Sequence, residues 1–391
     1  MTVRAGAAAP SRSGVLSLSS RPALALKAAL VLAAVLAALV LVPSGAASAA
    51  AGWQGFGAGK WPGPEWRPYA AGSPFNQQVG NAPVHPDSAA LVAGALQWGP
   101  PASLTAGTAE TSSDFGHPVY FSQPGDPLYT LRPTEHWGRN TIAGTRIRIP
   151  AGARPAGGSD GHMTVVTPDG WEYDFWRAQA PPPGGGTLTF AWGGRVRITG
   201  DGLGGSATAA HFGALAGVIR PEELAAGRID HALFIVLRCT ASGTSFGFGA
   251  RKRQSWLGSY IYPAAAGAST CDEGNSGLPP LGARFALAMS SSQIAGLGLP
   301  RWKRAILTAL ARYGGYVGDT GGPGFALMMQ SSSTYTSLGA PDRLAQVARG
   351  AGIPERQGRY TFPLAAGVDW QRYLRVVVPP ARLRAKRMRH A

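Results

Sequence analysis

The stretch SDGHMTVVTPDGWEYDFWRA, residues 159–178, decides how this chain is read. It has the pattern of a strand, a tight turn and a second strand. Residues 163–167 are mostly apolar or β-branched, as strands prefer. Pro168, Asp169 and Gly170 supply a fixed φ, a side chain that bonds its own backbone, and a left-handed position. Residues 171–176 then alternate. Successive strand side chains point to opposite faces, so Trp171, Tyr173 and Phe175 share one face and Glu172, Asp174 and Trp176 share the other. With the aromatic face packed inward, two carboxylates and an indole are expected to line an open groove. Asp160 and His162 lie two apart on the neighbouring segment, and the hairpin is expected to bring both pairs together.

The same short β pattern recurs outward from this hairpin, at 119–121, 128–131, 145–149, 187–192, 195–198 and 232–237. Gly (55) and Pro (32) punctuate the 391 residues well above the usual share. Charged residues are 14% against 45% hydrophobic, which excludes a highly charged disordered chain, a coiled coil and a collagen. The fold class expected is mainly β, an antiparallel β-sandwich or jelly roll with a few peripheral helices. Those helices are expected at 86–98, 221–224, 300–313 and 341–349, where Pro opens each segment. Long helices do not alternate with the strands, so a parallel βαβ sheet is disfavoured. Residues 50–381 read as a single domain with an extended arm carrying Trp53, Trp61 and Trp66.

The beginning of the chain reads as an export signal. Arg4, Arg12, Arg21 and Lys27 precede an apolar run at 28–42, and the small residues Ala47, Ser48 and Ala49 place cleavage after Ala49. The run is shorter than a spanning helix needs, and no later stretch is long and apolar enough, so no integral membrane segment is expected after cleavage. Cys239 and Cys271 are the two cysteines, and in an exported chain they are expected to form one disulfide. The protein is therefore expected to be secreted or associated with the cell wall. The formal net charge is +16, and residues 382–391 form a basic tail with Arg382, Arg384, Lys386, Arg387 and Arg389. Such a charge suits a polysaccharide or anionic cell-wall polymer as partner. Export argues against nucleic acid.

No nucleophile elbow, zinc-protease motif or phosphate loop is present, and no cofactor is expected. Residues 200–206 are glycine-rich but lack the strand–loop–helix setting of a dinucleotide loop. Two cysteines alone build no zinc site, no calcium-loop spacing appears, and no metal is expected. What remains is the chemistry of sugars. Asp174 and Glu172 are the candidate acid and nucleophile or base, Trp176 is a candidate stacking platform, and Asp160 and His162 are candidates to orient or assist. Asp319, at the end of a strand entering a glycine-rich loop, is a candidate at the rim of the cleft. Asp114 with His117, Asp201 with His211, and Asp230 with His231 are further acid–histidine pairs for which a structural bond is the simpler reading.

Residues 172–176 resemble the E-x-D-x-x-E strand of laminarinase-type sandwich glycosidases, with Arg177 where the last acid stands. Across most of the mature length the chain resembles exported, uncharacterised proteins of GC-rich soil bacteria. The segments that carry this are SPFN (73–76), SDGHMTVV (159–166), YDFWRA (173–178), AGVIRPEELAAGRIDHAL (216–233), LPPLGARFAL (278–287) and ILTALARYGGYVGDTGG (306–322). That resemblance implies no activity and supplies no catalytic residue. The functional expectation is an exported β-sandwich acting on an extracellular polysaccharide, a glycoside hydrolase in preference to a lyase. The alternatives are a non-catalytic glycan- or wall-binding protein and a structural envelope protein.

Overall fold

In the computed structural model, residues 55–378 are described apart from 102, 108–110, 206, 242–250, 253–258, 272–276 and 323. The expected export signal, the first residues of the arm and the basic tail lie outside the described residues.

The hairpin forms as its sequence suggests. Met163–Val166 pairs antiparallel with Trp171–Trp176, with Val166 opposite Glu172 and Met163 opposite Phe175. Gly170 takes φ +81° and its N–H donates to Thr167 O at 2.9 Å, closing the turn. Two further strands complete a four-stranded sheet. Trp192–Arg197 lies antiparallel beside Trp171–Trp176, and Val119–Phe121 lies parallel beside Met163–Val166.

Each face of this sheet is buried. On one side Tyr120, Met163, Val165, Tyr173 and Phe175 join Tyr129, Leu131, Ile147, Leu188 and Phe190 in one apolar cluster. The last five come from a three-stranded sheet of Arg146–Arg148, Leu128–Pro133 and Gly186–Phe190. On the other side Val119, Phe121, Val166, Val196 and Ile198 belong to the larger core. That core also holds a five-stranded sheet, ordered Ala326–Leu327, Leu233–Leu237, Gly315–Thr320, Arg284–Leu287, Leu374–Val377.

The molecule is mainly β, but its sheets are mixed. Val119–Phe121 with Met163–Val166, Leu128–Pro133 with Gly186–Phe190, and Leu233–Leu237 with Gly315–Thr320 are parallel pairs, where antiparallel pairing was expected. In each case other elements intervene between the two strands, which gives the length a parallel connection requires.

The helices pack on these sheets. Arg301–Arg312 buries Trp302, Ile306, Ala309 and Leu310, and Gly314 at φ +70° follows it. Pro221–Ala226 starts at Arg220 and stops at left-handed Gly227. Its Glu223 is fully buried and accepts from Arg220 Nη2 at 2.9 Å and His231 Nε2 at 3.0 Å. Burial pushes the Glu223 carboxyl up, but the Arg220 guanidinium and His231 outweigh it and hold the group down at about 2. Cys239 and Cys271 form a disulfide with Cα atoms 5.6 Å apart. Among the described residues no helix is long and apolar enough to cross a membrane.

Candidate active site

Glu172 and Asp174 do share a face, but that face is closed. Both are 0% exposed. Glu172 accepts the Tyr69 hydroxyl at 2.5 Å and the Leu215 N–H at 2.9 Å. Asp174 accepts the Thr164 hydroxyl at 2.5 Å and the Ala214 N–H at 3.1 Å. The two carboxyls also hydrogen-bond to each other. The expected open groove along these acids is corrected: segment 213–215 and Tyr69 lie over them. Gly213 permits that approach, because a Cβ there would sit 2.0 Å from Tyr69 Oη and 2.8 Å from Glu172 Oε1. Burial pushes the Glu172 carboxyl well up, and the Asp174 charge adds to it. Burial raises Asp174 to about 6. Two adjacent carboxyls in a dry site cannot both ionise cheaply, so the pair retains a proton.

A polar chain leads from this pair towards the surface. The Thr164 hydroxyl has one proton and gives it to Asp174, so it must accept from His117 Nε2, 2.6 Å away. The His117 ring stacks on His162 with centroids 5.2 Å apart. Burial lowers both imidazoles, His117 strongly with the help of the His162 charge; at His162 the Asp160 charge opposes the effect. His162 is thus buried at 7% exposure, within the electrostatic reach of Asp160 and in contact with no open groove. Asp114, the sequence partner of His117, instead accepts from Gly107 N, Gly116 N and Ser331 Oγ, a structural knot.

The surface end of the chain is where the remaining candidates meet. Asp160 is half-buried in the turn before Met163–Val166 and accepts Trp176 Nε1–H at 3.4 Å. Asp319 lies on a different sheet, in Gly315–Thr320, yet senses the Asp160 charge. The register of that strand shifts between Val317 and Asp319. Gly318 makes the irregularity possible, because the Phe234 ring occupies the space a Cβ would need, 2.3 Å away. Bulges of this kind re-aim side chains. Asp319 is half-buried; burial raises its carboxyl to about 7, the Thr320 N–H bond opposes this, and Asp160 adds to it.

Beside Asp160 the indoles gather. Trp192 pairs with Trp176 across the sheet. Trp137 packs against both, with centroids 5.6 Å from Trp176 and 5.8 Å from Trp192 at interplanar angles of 35° and 34°. The loop carrying Trp137 is tied down by Asn140 Nδ2 donating to Gly193 O at 3.0 Å. Three large hydrophobic side chains stand exposed among the described residues, Val84, Phe115 and Trp137 at 55%. Phe115 lies against Gly158, next to the Asp160 turn, so two of the three flank this site. Backbone strain gathers here too. Among the described residues four non-glycines take positive φ, and Arg177 (+50°) and His211 (+56°) adjoin Trp176 and the Asp319 strand, while Tyr69 (+72°) caps Glu172.

Of the residues singled out from sequence, the structure sets Asp160 against Trp176 near the surface, leaves Asp319 half-buried on another sheet within reach of the Asp160 charge, and buries Glu172, Asp174 and His162. Trp137 and Trp192 were missed. Trp192 was legible only through its register with Trp176, and Trp137 stands in a loop without local pattern.

A cleft of about 830 Å³ lies elsewhere, lined by Trp61, Pro221, Trp302, Arg343 and Val347 with their neighbours. Its acid, Glu222, is already bonded by Tyr335 Oη and Arg343 Nη1. Among the described residues no three His, Cys, Asp or Glu are grouped to hold a metal ion. Comparison with protein-family models, curated proteins and solved structures gives no match.

Proposed function

We propose that the protein is exported and acts on an extracellular polysaccharide, binding sugar rings on Trp137, Trp176 and Trp192 and performing acid–base chemistry with Asp319 and Asp160. The observation that carries the reading is the contact between a tryptophan platform, exposed at Trp137, and a carboxylate, Asp160, whose charge reaches a second one, Asp319. Indole faces stack on the C–H faces of pyranose rings, and paired carboxyls cleave glycosidic bonds. Asp319 still holds a proton near neutral pH and serves as the acid that protonates the leaving oxygen. Asp160, oriented by the Trp176 N–H, serves as the base or nucleophile. Glu172 and Asp174 keep a supporting place, holding Thr164 and the segment 213–215. The leading basic–apolar–small segment and the disulfide both favour an extracellular setting.

A glycan binder without chemistry is the second reading, favoured by the platform alone. Gel retardation and release of reducing ends over a panel of neutral and acidic polysaccharides test both. Retardation by at least one polymer, weakened in Trp137→Ala, is expected, together with product release. Retardation without product leaves the binder. Absence of retardation and of product with every polymer overturns both.

A further inference from the structure

The platform carries a cation with no acid to answer it. Arg177 follows Trp176 directly, is exposed, and sets its guanidinium 4.4 Å from the Trp176 ring centroid. Among the described residues no carboxylate forms an ion pair with it. Its position is imposed: the backbone is held at φ +50°, with the Arg177 N–H on Asp160 O at 2.8 Å. A non-glycine residue in that conformation is strained, and the hydrogen bond to Asp160 O holds the backbone there while the guanidinium packs on the indole. Arg139, also exposed, stands two residues from Trp137 on the loop that carries the outer indole. Asp160, on which Trp176 donates, lies at this spot and its charge reaches Asp319, while Glu135 and His136 precede Trp137 on the outer loop, where the Glu135 N–H bonds Ala191 O next to Trp192.

We infer that the glycan is acidic, and that Arg177 receives the carboxylate of a uronic acid residue stacked on the platform; the inference rests on the glycan reading above. A guanidinium presents a planar fork that matches a carboxylate in bidentate fashion, and stacking on Trp176 leaves its edge free to do so. Of the neighbouring acids, Asp319 keeps its proton up to about pH 7, and Asp160 and Glu135 are set against the guanidinium groups of Arg177 and Arg139.

The test compares polygalacturonate with the same polymer after carboxyl reduction, by affinity electrophoresis of the full-length protein at two salt concentrations. Arg177→Gln is the probing variant, Trp137→Ala reports the platform, and Arg301→Gln, remote and exposed, controls for net charge. Wild type is expected to bind polygalacturonate roughly tenfold more tightly than the reduced polymer, and Arg177→Gln to remove that preference while Arg301→Gln keeps it. Equal binding of both polymers, abolished in Trp137→Ala, overturns the acidic-sugar inference and leaves the glycan reading standing. A preference that Arg177→Gln and Arg301→Gln weaken alike also overturns it, since diffuse charge then explains the result. Failure to bind either polymer, or any neutral one, overturns the glycan reading as well.

Discussion

Asp319 illustrates how its surroundings perturb one residue, the acid of the proposed chemistry. Its strand is ordinary until Gly318, where the Phe234 ring forbids a side chain and the register slips. The acid that follows is shielded from water and shares its field with Asp160, which leaves its proton bound up to about pH 7. An acid that must give a proton works only while it holds one. Product release is therefore expected to fall as pH rises through about 7, as Asp319 ionises. Initial rates across this range check it, and a rate that climbs through neutrality contradicts the assignment. The sequence placed Asp319 at a rim because it ends a strand before glycines. It gave no hint of the partner, since Asp160 lies on another sheet and some 160 positions earlier.

At the scale of elements, the hairpin 163–176 was legible because its pattern is local. The alternation correctly divided Tyr173 and Phe175 from Glu172 and Asp174. What covers the second face was not legible. The cover is Tyr69 and the backbone of 213–215, far from the strand in sequence and without polar pattern of their own. The parallel pairings escaped for the same reason, since hairpin turns announce antiparallel neighbours and long connections announce nothing. The sealed acids have a consequence for stability. Asp174 ionises near 3.8 when exposed and at about 6 in the fold. Between those values the folded chain keeps a proton that the unfolded chain has lost. The stability is fully present below about 3.8 and lost as pH rises through about 6, on the order of 3 kcal/mol. The urea midpoint of wild type is expected to drop over that interval, and Asp174→Asn, which cannot ionise, to drop less. Parallel slopes for the two proteins count against the buried-pair description.

For the whole molecule, the central layer is a sheet covered on both sides. One cover is a small three-stranded sheet with aromatic side chains; the other is the large core with its five-stranded sheet and helices. This layering drives the polar face of Trp171–Trp176 into the interior and leaves only its Trp176 end at the surface, beside Trp137, Trp192 and Asp160. One acid pair is buried; Asp160 and Asp319 stand half-buried within reach of each other's charge, and the proposed chemistry is theirs. The most direct measurement sets Asp319→Asn beside Glu172→Gln, both confirmed as folded, and follows retardation and product release over the polysaccharide panel with wild type alongside. Loss of product in Asp319→Asn with retardation intact, and product retained in Glu172→Gln, is the predicted result. Product that survives Asp319→Asn but disappears in Glu172→Gln contradicts it.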